Sequence, residues 1–415
     1  MIKADLIVAG ASELLTCADG GLGLIRDGWL ATEKDKIVAV GSEAEVLGAL
    51  DPESRQHARR LNARGQTVMP GWVDCHTHLV FGGDRLAEDA RRLAGQRPAE
   101  MKAQGLAEVG MAWSVRQTRD CDLETLYRQS AARLRNMMAA GATTIECKSG
   151  YGLDLETELK QLETIRQLAA SYEVDLVSTF LGAHGWPDGQ DKNYYVDSLV
   201  AEMIPAVAEK KLAVFCDIWV DQGYFTAADA RRVLTAGLDH GLRPKIHAEA
   251  YSYVGASDVA AELKAASADH LNYTPPEVMA KLARAGVVGV LAPGTDYVVN
   301  HPVPADPKQM MASNLPVAVA TNCNPGCWCD RMPFALNLAA RRHGLSIGEA
   351  IYGATVNGAL ALGLFDRGRL AQGCLADFLI FNIPHHEELF YKLGGNFIPE
   401  VYKRGRVISR PEERA

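Results

Sequence analysis

The stretch VMPGWVDCHTH, residues 68–78, decides the fold. It is a short apolar run that ends abruptly in Asp74, His76 and His78. A strand buried on both faces of a parallel sheet reads as such a run, and in a (β/α)8 barrel the reactive side chains gather where the strands end. Seven further runs of this kind follow: TTIECKSG (143–150), DLVSTFLGAH (175–184), LAVFCDIWV (212–220), RPKIHAEA (243–250), SADHLN (267–272), VVGVLAP (287–293) and PVAVATNC (316–323). Between them, segments such as LETELKQLETIRQLAA, AEMIPAVAEKK, TAADARRVLTAGLDHG and PPEVMAKLARAG carry helical periodicity and are long enough to cross back over a parallel sheet. The alternation predicts an α/β chain closed as a (β/α)8 TIM-type barrel.

The barrel accounts for residues 69–363. Outside it, DLIVAG and GWLATEKDKIVAVG near the start, and CLADFLIFNI and PEVYKRGRVI near the end, read as β segments separated by turns. Neither flank alone has enough apolar surface for a core, so residues 1–68 and 364–415 are expected to join as one small β-sandwich domain.

Bulk properties narrow the function. The chain has 415 residues, 48% of them hydrophobic and 23% charged, enough for one large core and a smaller one. With 51 acidic residues against 43 basic ones the formal charge is -8, the wrong sign for a nucleic-acid binder, and no dense Lys/Arg cluster offsets it. Nine cysteines, odd in number and scattered, read as reduced thiols in a cytoplasmic protein. The first residues show no basic region before a long apolar block, and no stretch reaches the roughly 18 apolar residues that span a bilayer. Small-molecule chemistry is the expected business of this chain.

The polar residues fall at the strand ends: Asp74, His76 and His78, then Lys148 and Tyr151, His184, His247 and Glu249, His270, and Asn322. In a strand, residues i and i+2 face the same way, so His76 and His78 can offer two imidazoles to one ion, and His247 and Glu249 repeat the spacing. Cys323, Cys327 and Cys329 in ATNCNPGCWCD compete as ligands, but three thiols without a second Cys-x-x-Cys fall short of a structural zinc site. That loop reads as a wall of the active site.

Taken together, PGWVDCHTHLVFGG, IECKSGYGLDLETELK, FLGAH, KIHAEAYS, SADHL, TNCNPG and LADFLIFN resemble the amidohydrolase superfamily and, within it, the imidazolonepropionase family, over essentially the whole chain. KSGYGLDLETELK and the Asn-Pro-Gly loop carry the narrower likeness. The resemblance implies a hydrolase with one transition-metal ion, zinc or iron, held by His76, His78 and His247. Its fourth ligand is an Asp in the family, and that position is Asn322 here. The resemblance also implies Glu249 as the acid–base carboxylate, His270 beside the developing oxyanion, Arg85 as the clamp on a propionate, and Tyr151 and His184 as substrate contacts. The region around GLAEVGMAW, Ala250 after Glu249, and the Gly-Trp-Pro that follows His184 depart from the family pattern.

The function this implies is opening of a five-membered cyclic amide or amidine with a carboxylate tail. The expected substrate is 4-imidazolone-5-propanoate, giving N-formimino-L-glutamate, or a related hydantoin or thiohydantoin propionate. Two rivals stand beside it: deamination of a heterocycle by the same residue set, and ligand binding without turnover, because the Asn322 amide cannot take a proton. A homodimer is expected from the resemblance.

Overall fold

The computed structural model describes residues 1–103, 105 and 109–411. Residues 106–108 of the GLAEVGMAW region and 412–415 of the expected small domain lie outside the described residues.

Residues 68–78 split where a single strand was expected. Thr67–Pro70 belongs to one sheet and Trp72–Asp74 to another, with Gly71 between them. The Gly71 amide donates to Asp377 O on the first side, and the Trp72 amide donates to Gly141 O on the second. A Cβ on Gly71 would stand 2.3 Å from Thr143 Oγ1, so only glycine lets the chain pass between the two bodies at this point.

The barrel strands are β1 (Trp72–Asp74), β2 (Ala142–Lys148), β3 (Asp175–Ala183), β4 (Phe215–Val220), β5 (Ile246–Ala248), β6 (Ser267–His270), β7 (Val288–Leu291) and β8 (Val317–Val319). They pair in parallel in chain order. Every residue of β2, β5, β6, β7 and β8 is buried, which is why these strands read as unbroken apolar runs rather than as alternation. The ladder stops between β1 and β8, and the segments beyond those strands close the ring at its top. His78 N donates to Cys323 O at 2.8 Å, Asn322 N donates to His76 O at 3.0 Å, and Thr321 Oγ1 donates to the Asp74 carboxylate at 2.6 Å.

Both chain ends meet in the other sheet. Strand Thr67–Pro70 pairs antiparallel with Phe378–Phe381, Met69 opposite Leu379, and in parallel with Leu6–Leu15. Strand Thr67–Pro70 therefore joins the two flanks in one sheet, which runs from Arg406–Ser409 at one edge to Lys36–Gly41 at the other. The sheet's joint with the barrel is apolar, with Leu379, Phe381 and Val401 in one core with Trp72, and also ionic. Asp175 at the start of β3 receives Lys403 Nζ at 2.8 Å and Arg404 Nη2 at 2.8 Å from the sheet, together with Arg367. Among the described residues no helix is long and apolar enough to cross a membrane.

Candidate active site

Three imidazoles converge inside the top of the barrel. One ring nitrogen from each of His76, His78 and His247 lies within 4.8 Å of the other two, and all three residues are buried. His76 Nδ1 donates to Asp269 Oδ2 at 2.6 Å, which leaves Nε2 as a lone pair, buried and without a hydrogen-bond partner. His247 Nδ1 stands 3.1 Å from Asp217 Oδ2, close but not aligned as a hydrogen bond, and its Nε2 is 3.4 Å from His78 Nε2. Burial above all, with neighbouring cations adding to it, holds His76 and His78 well below the usual imidazole pKa, so both rings are neutral. An unpartnered lone pair on His76, beside imidazoles backed by Asp217 and Asp269, fits a transition-metal cation.

Behind the imidazoles sits a buried ammonium. Lys148 Nζ is 2.7 Å from Glu146, 2.8 Å from Asp217 and 3.5 Å from Asp269, so it ties together the carboxylates that face His76 and His247. Asp217 and Asp269 were not singled out in the sequence. Their signal was a charge inside an apolar strand, FCDIWV and SADHLN, which is tolerated only where it is paired.

The strand ends share an unusual backbone. Glu249, His270 and Asn322 take φ values of +58°, +80° and +48°, left-handed conformations that side-chain-bearing residues rarely adopt. This turns Glu249 aside. Strand β5 stops at Ala248, and the Glu249 carboxylate accepts Ser257 Oγ at 2.6 Å, Ser257 N at 3.4 Å and Thr274 Oγ1 at 2.5 Å. Glu249 does not line the cavity, whereas Ala250 does. Glu249 does not share the side of His247, because alternation fails once the strand has ended, and its carboxylate is engaged by Ser257 and Thr274. Asn322 does line the cavity: its Nδ2 donates to Thr295 Oγ1 at 2.9 Å and its Oδ1 accepts from Asn324 Nδ2 at 3.1 Å.

The cavity, about 1190 Å³, opens above the imidazoles and is also lined by Arg85, Tyr151, His184 and His270. The His184 ring stacks on His78 at 4.8 Å, and its Nδ1 donates to Gly150 O at 3.1 Å, which leaves Nε2 as an acceptor. Burial, with His247 nearby, lowers His184 and His270 to about 3, so both are neutral. Arg85 Nε donates to Ser114 Oγ at 2.8 Å. Of the residues the sequence singled out, His78, His247, His270, Asn322, Arg85, Tyr151 and His184 line one cavity, His76 lies behind them with its ring 4.6 Å from that of His247, and Glu249 is not part of the lining.

The family model for the amidohydrolase family matches residues 67–408. The chain belongs to the amidohydrolase family. As a member it is a hydrolase acting on carbon–nitrogen bonds, and the family's use of a bound metal ion agrees with the imidazole cluster. The chain is 41% identical to the imidazolonepropionase of Haloarcula marismortui, over 99% of this chain and 97% of that protein. It is also 41% identical to that of Symbiobacterium thermophilum, over 98% of each. Its fold matches the zinc-complexed atrazine chlorohydrolase of Arthrobacter aurescens with a TM-score of 0.72 at 16% identity, covering 98% of this chain and 96% of that one.

Within this amidohydrolase the cysteine loop is packed and does not join the imidazoles. Cys323, Cys327 and Cys329 are all buried, and none belongs to a group that could hold a metal among the described residues. Trp328 between them meets Phe81 edge-on at 5.4 Å, and the Arg133 guanidinium lies 3.7 Å over the Phe81 ring. Arg133 also donates to Leu79 O and Phe81 O, fixing the chain just beyond His78.

Proposed function

We propose that this chain hydrolyses 4-imidazolone-5-propanoate to N-formimino-L-glutamate. One observation carries the reading: a three-imidazole cluster opens through His78 and His247 onto a cavity also lined by Arg85, whose outer nitrogens have no hydrogen-bond partner among the described residues. The names of the relatives in two organisms support it. A zinc or iron ion held by His76, His78 and His247 would supply an activated water. Arg85 spends Nε on Ser114, so its two terminal nitrogens remain for a bidentate clamp on the propionate. His270, neutral, donates its N–H to the oxygen that gains charge.

Asn322 would offer the ion or its water only an amide, which cannot take a proton. With Glu249 occupied by Ser257 and Thr274, an acceptor beside the imidazoles is His184 Nε2, whose lone pair is fixed by the Nδ1–H bond to Gly150. Tyr151 packs against His78 and His184 and shapes the floor. We place the enzyme in the cytoplasm as a homodimer. We also propose a barrel that ends at residue 363 and a small domain that takes in residues 364–415 and the chain up to Pro70, so that the first crossing falls at Gly71, two residues later than the expected boundary at 68.

The test is the zinc-loaded protein with the imidazolone, read by loss of its ultraviolet absorbance and appearance of formiminoglutamate. Ammonia release without ring opening would make it a deaminase. Asn322 favours a second reading, a binding protein without turnover, for which the substrate would bind and persist.

A further inference from the structure

The most specific stretch of the sequence, KSGYGLDLETELK, supplies Tyr151 to the cavity, yet its acidic helix plays no part in the chemistry above. Helix Leu155–Ser171 starts at Asp154, which accepts Thr157 N at 2.7 Å as its cap. One turn in, Glu158 is fully buried, and Gln161 follows on the same face, also fully buried. These two side chains fold back over the preceding loop and take all four of its amides. Glu158 accepts Gly150 N at 3.0 Å, Gly152 N at 2.8 Å and Leu153 N at 3.0 Å. Gln161 accepts Tyr151 N at 3.1 Å and donates to Val80 O at 2.6 Å.

The loop they hold cannot relax elsewhere. A Cβ on Gly150, which has φ +111°, would lie 2.9 Å from Leu181 O and 3.0 Å from His184 Cβ. The Gly150 carbonyl is the acceptor that fixes the His184 ring. The Tyr151 ring sits 5.3 Å from His184 and 5.7 Å from His78. One buried carboxylate thus sets the positions of two cavity side chains while touching neither the imidazole cluster nor the space above it. A carboxylate is the group required, because it accepts at both oxygens and brings no donor to face the three N–H groups.

We propose that Glu158, assisted by Gln161, is a positioning residue for substrate capture: it holds the Gly150–Leu153 loop so that Tyr151 and His184 face the ligand. The inference rests on reading those two residues as substrate contacts. Glu158→Gln preserves the shape and places an NH2 against backbone N–H groups, so the loop must shift.

The experiment compares Glu158→Gln and the milder Gln161→Met with the parent protein, all zinc-loaded. Metal content should stay near one ion per chain in each, and the His184 Nδ1–H proton and 15N resonances should move in Glu158→Gln. The inert analogue imidazole-4-propionate should bind at least about tenfold more weakly by calorimetry, and KM should rise by a similar factor with kcat changed far less. Gln161→Met should shift the same signals by less, and it carries the test if Glu158→Gln does not fold. Unmoved His184 resonances with unchanged binding would overturn the proposal, as would loss of metal in either variant. If the parent protein neither binds the analogue nor opens the imidazolone, the functional reading fails, and the His184 resonances still report on the positioning.

Discussion

Gly326 lies directly against Arg85: a Cβ on that glycine would stand 2.9 Å from Arg85 Nη1. The Asn-Pro-Gly turn therefore forms one side of the slot that holds the guanidinium, and Ser114 forms the other through Nε. The contact is with the far end of a flexible side chain, so an added methyl displaces the arginine more readily than it strains the fold.

Gly326→Ala should consequently raise KM for a carboxylate substrate about tenfold while the melting temperature stays within a degree or two. Arg85→Lys keeps the charge but loses the planar fork, and should raise KM by at least as much with a smaller fall in kcat. Steady-state kinetics beside a thermal melt check both. An unchanged KM in Arg85→Lys removes Arg85 from the binding site.

His247→Ala deletes one of three converging nitrogens and leaves Asp217 facing a void. Metal content measured by elemental analysis should fall from about one ion per chain to near zero. Retention of a full equivalent would mean that the ion is held elsewhere.

Asn322 sits between an amide donor, Asn324 Nδ2, and a hydroxyl, Thr295 Oγ1. A carboxylate fits the same place, since the hydroxyl can rotate to donate and Asn324 already does. Asn322→Asp should bind zinc at least about tenfold more tightly in chelator competition, because it adds a full negative charge beside neutral ligands. No gain in affinity would mean that position 322 does not reach the ion.

What the sequence revealed and what it hid follow from one physical rule. Period and burial are local, so the eight strands and the His76–His78 pair were legible from runs such as VMPGWVDCH. The roles of Glu249 and Asn322 depended on where the strand ends, because a single left-handed residue cancels the alternation that places i and i+2 together. Asp217 and Asp269, and the way Lys148 ties them together, were hidden for a different reason. They meet only when β2, β4 and β6 are brought side by side, and nothing within one strand reports its neighbours. Gly71 was read as part of a strand because the crossing between sheets depends on Thr143, which is far away in the chain.

The joint between sheet and barrel should respond to acid. Burial alone would raise the Asp175 carboxyl, but Lys403, with Arg367 and Arg404, holds it down to about 2. The folded value is thus below the ordinary carboxylate value near 4, so the stability this group contributes is present above about pH 4 and is lost as pH falls towards 2. Asp175→Asn should remove that part of the acid dependence and cost roughly 1–3 kcal/mol at neutral pH, since Lys403 keeps Asp377 as a partner. Urea melts at pH 7 and pH 3 decide it: an equal loss at both would place the effect in packing rather than charge.

The cysteine loop provides the last test, because its thiols are the rival ligands. Burial raises all three pKa values, Cys327 to about 11 and the others well beyond the ordinary range, so they are protonated thiols and poor metal donors. They are closely packed: a Cβ on Gly294 would lie 3.2 Å from Cys327 Sγ and 3.5 Å from Cys329 Sγ, and the Thr295 hydroxyl meets Cys327. The loop therefore contributes packing, with Trp328 and Arg133 clamping Phe81 beside the metal motif. Replacing Cys323, Cys327 and Cys329 together by Ser puts three hydroxyls where small apolar groups sat, at roughly 1–3 kcal/mol for each one left without a partner. The melting temperature should drop by several degrees while elemental analysis still finds about one metal ion per chain. Loss of the ion from a variant that remains folded would transfer the ligand role from the imidazoles to this loop.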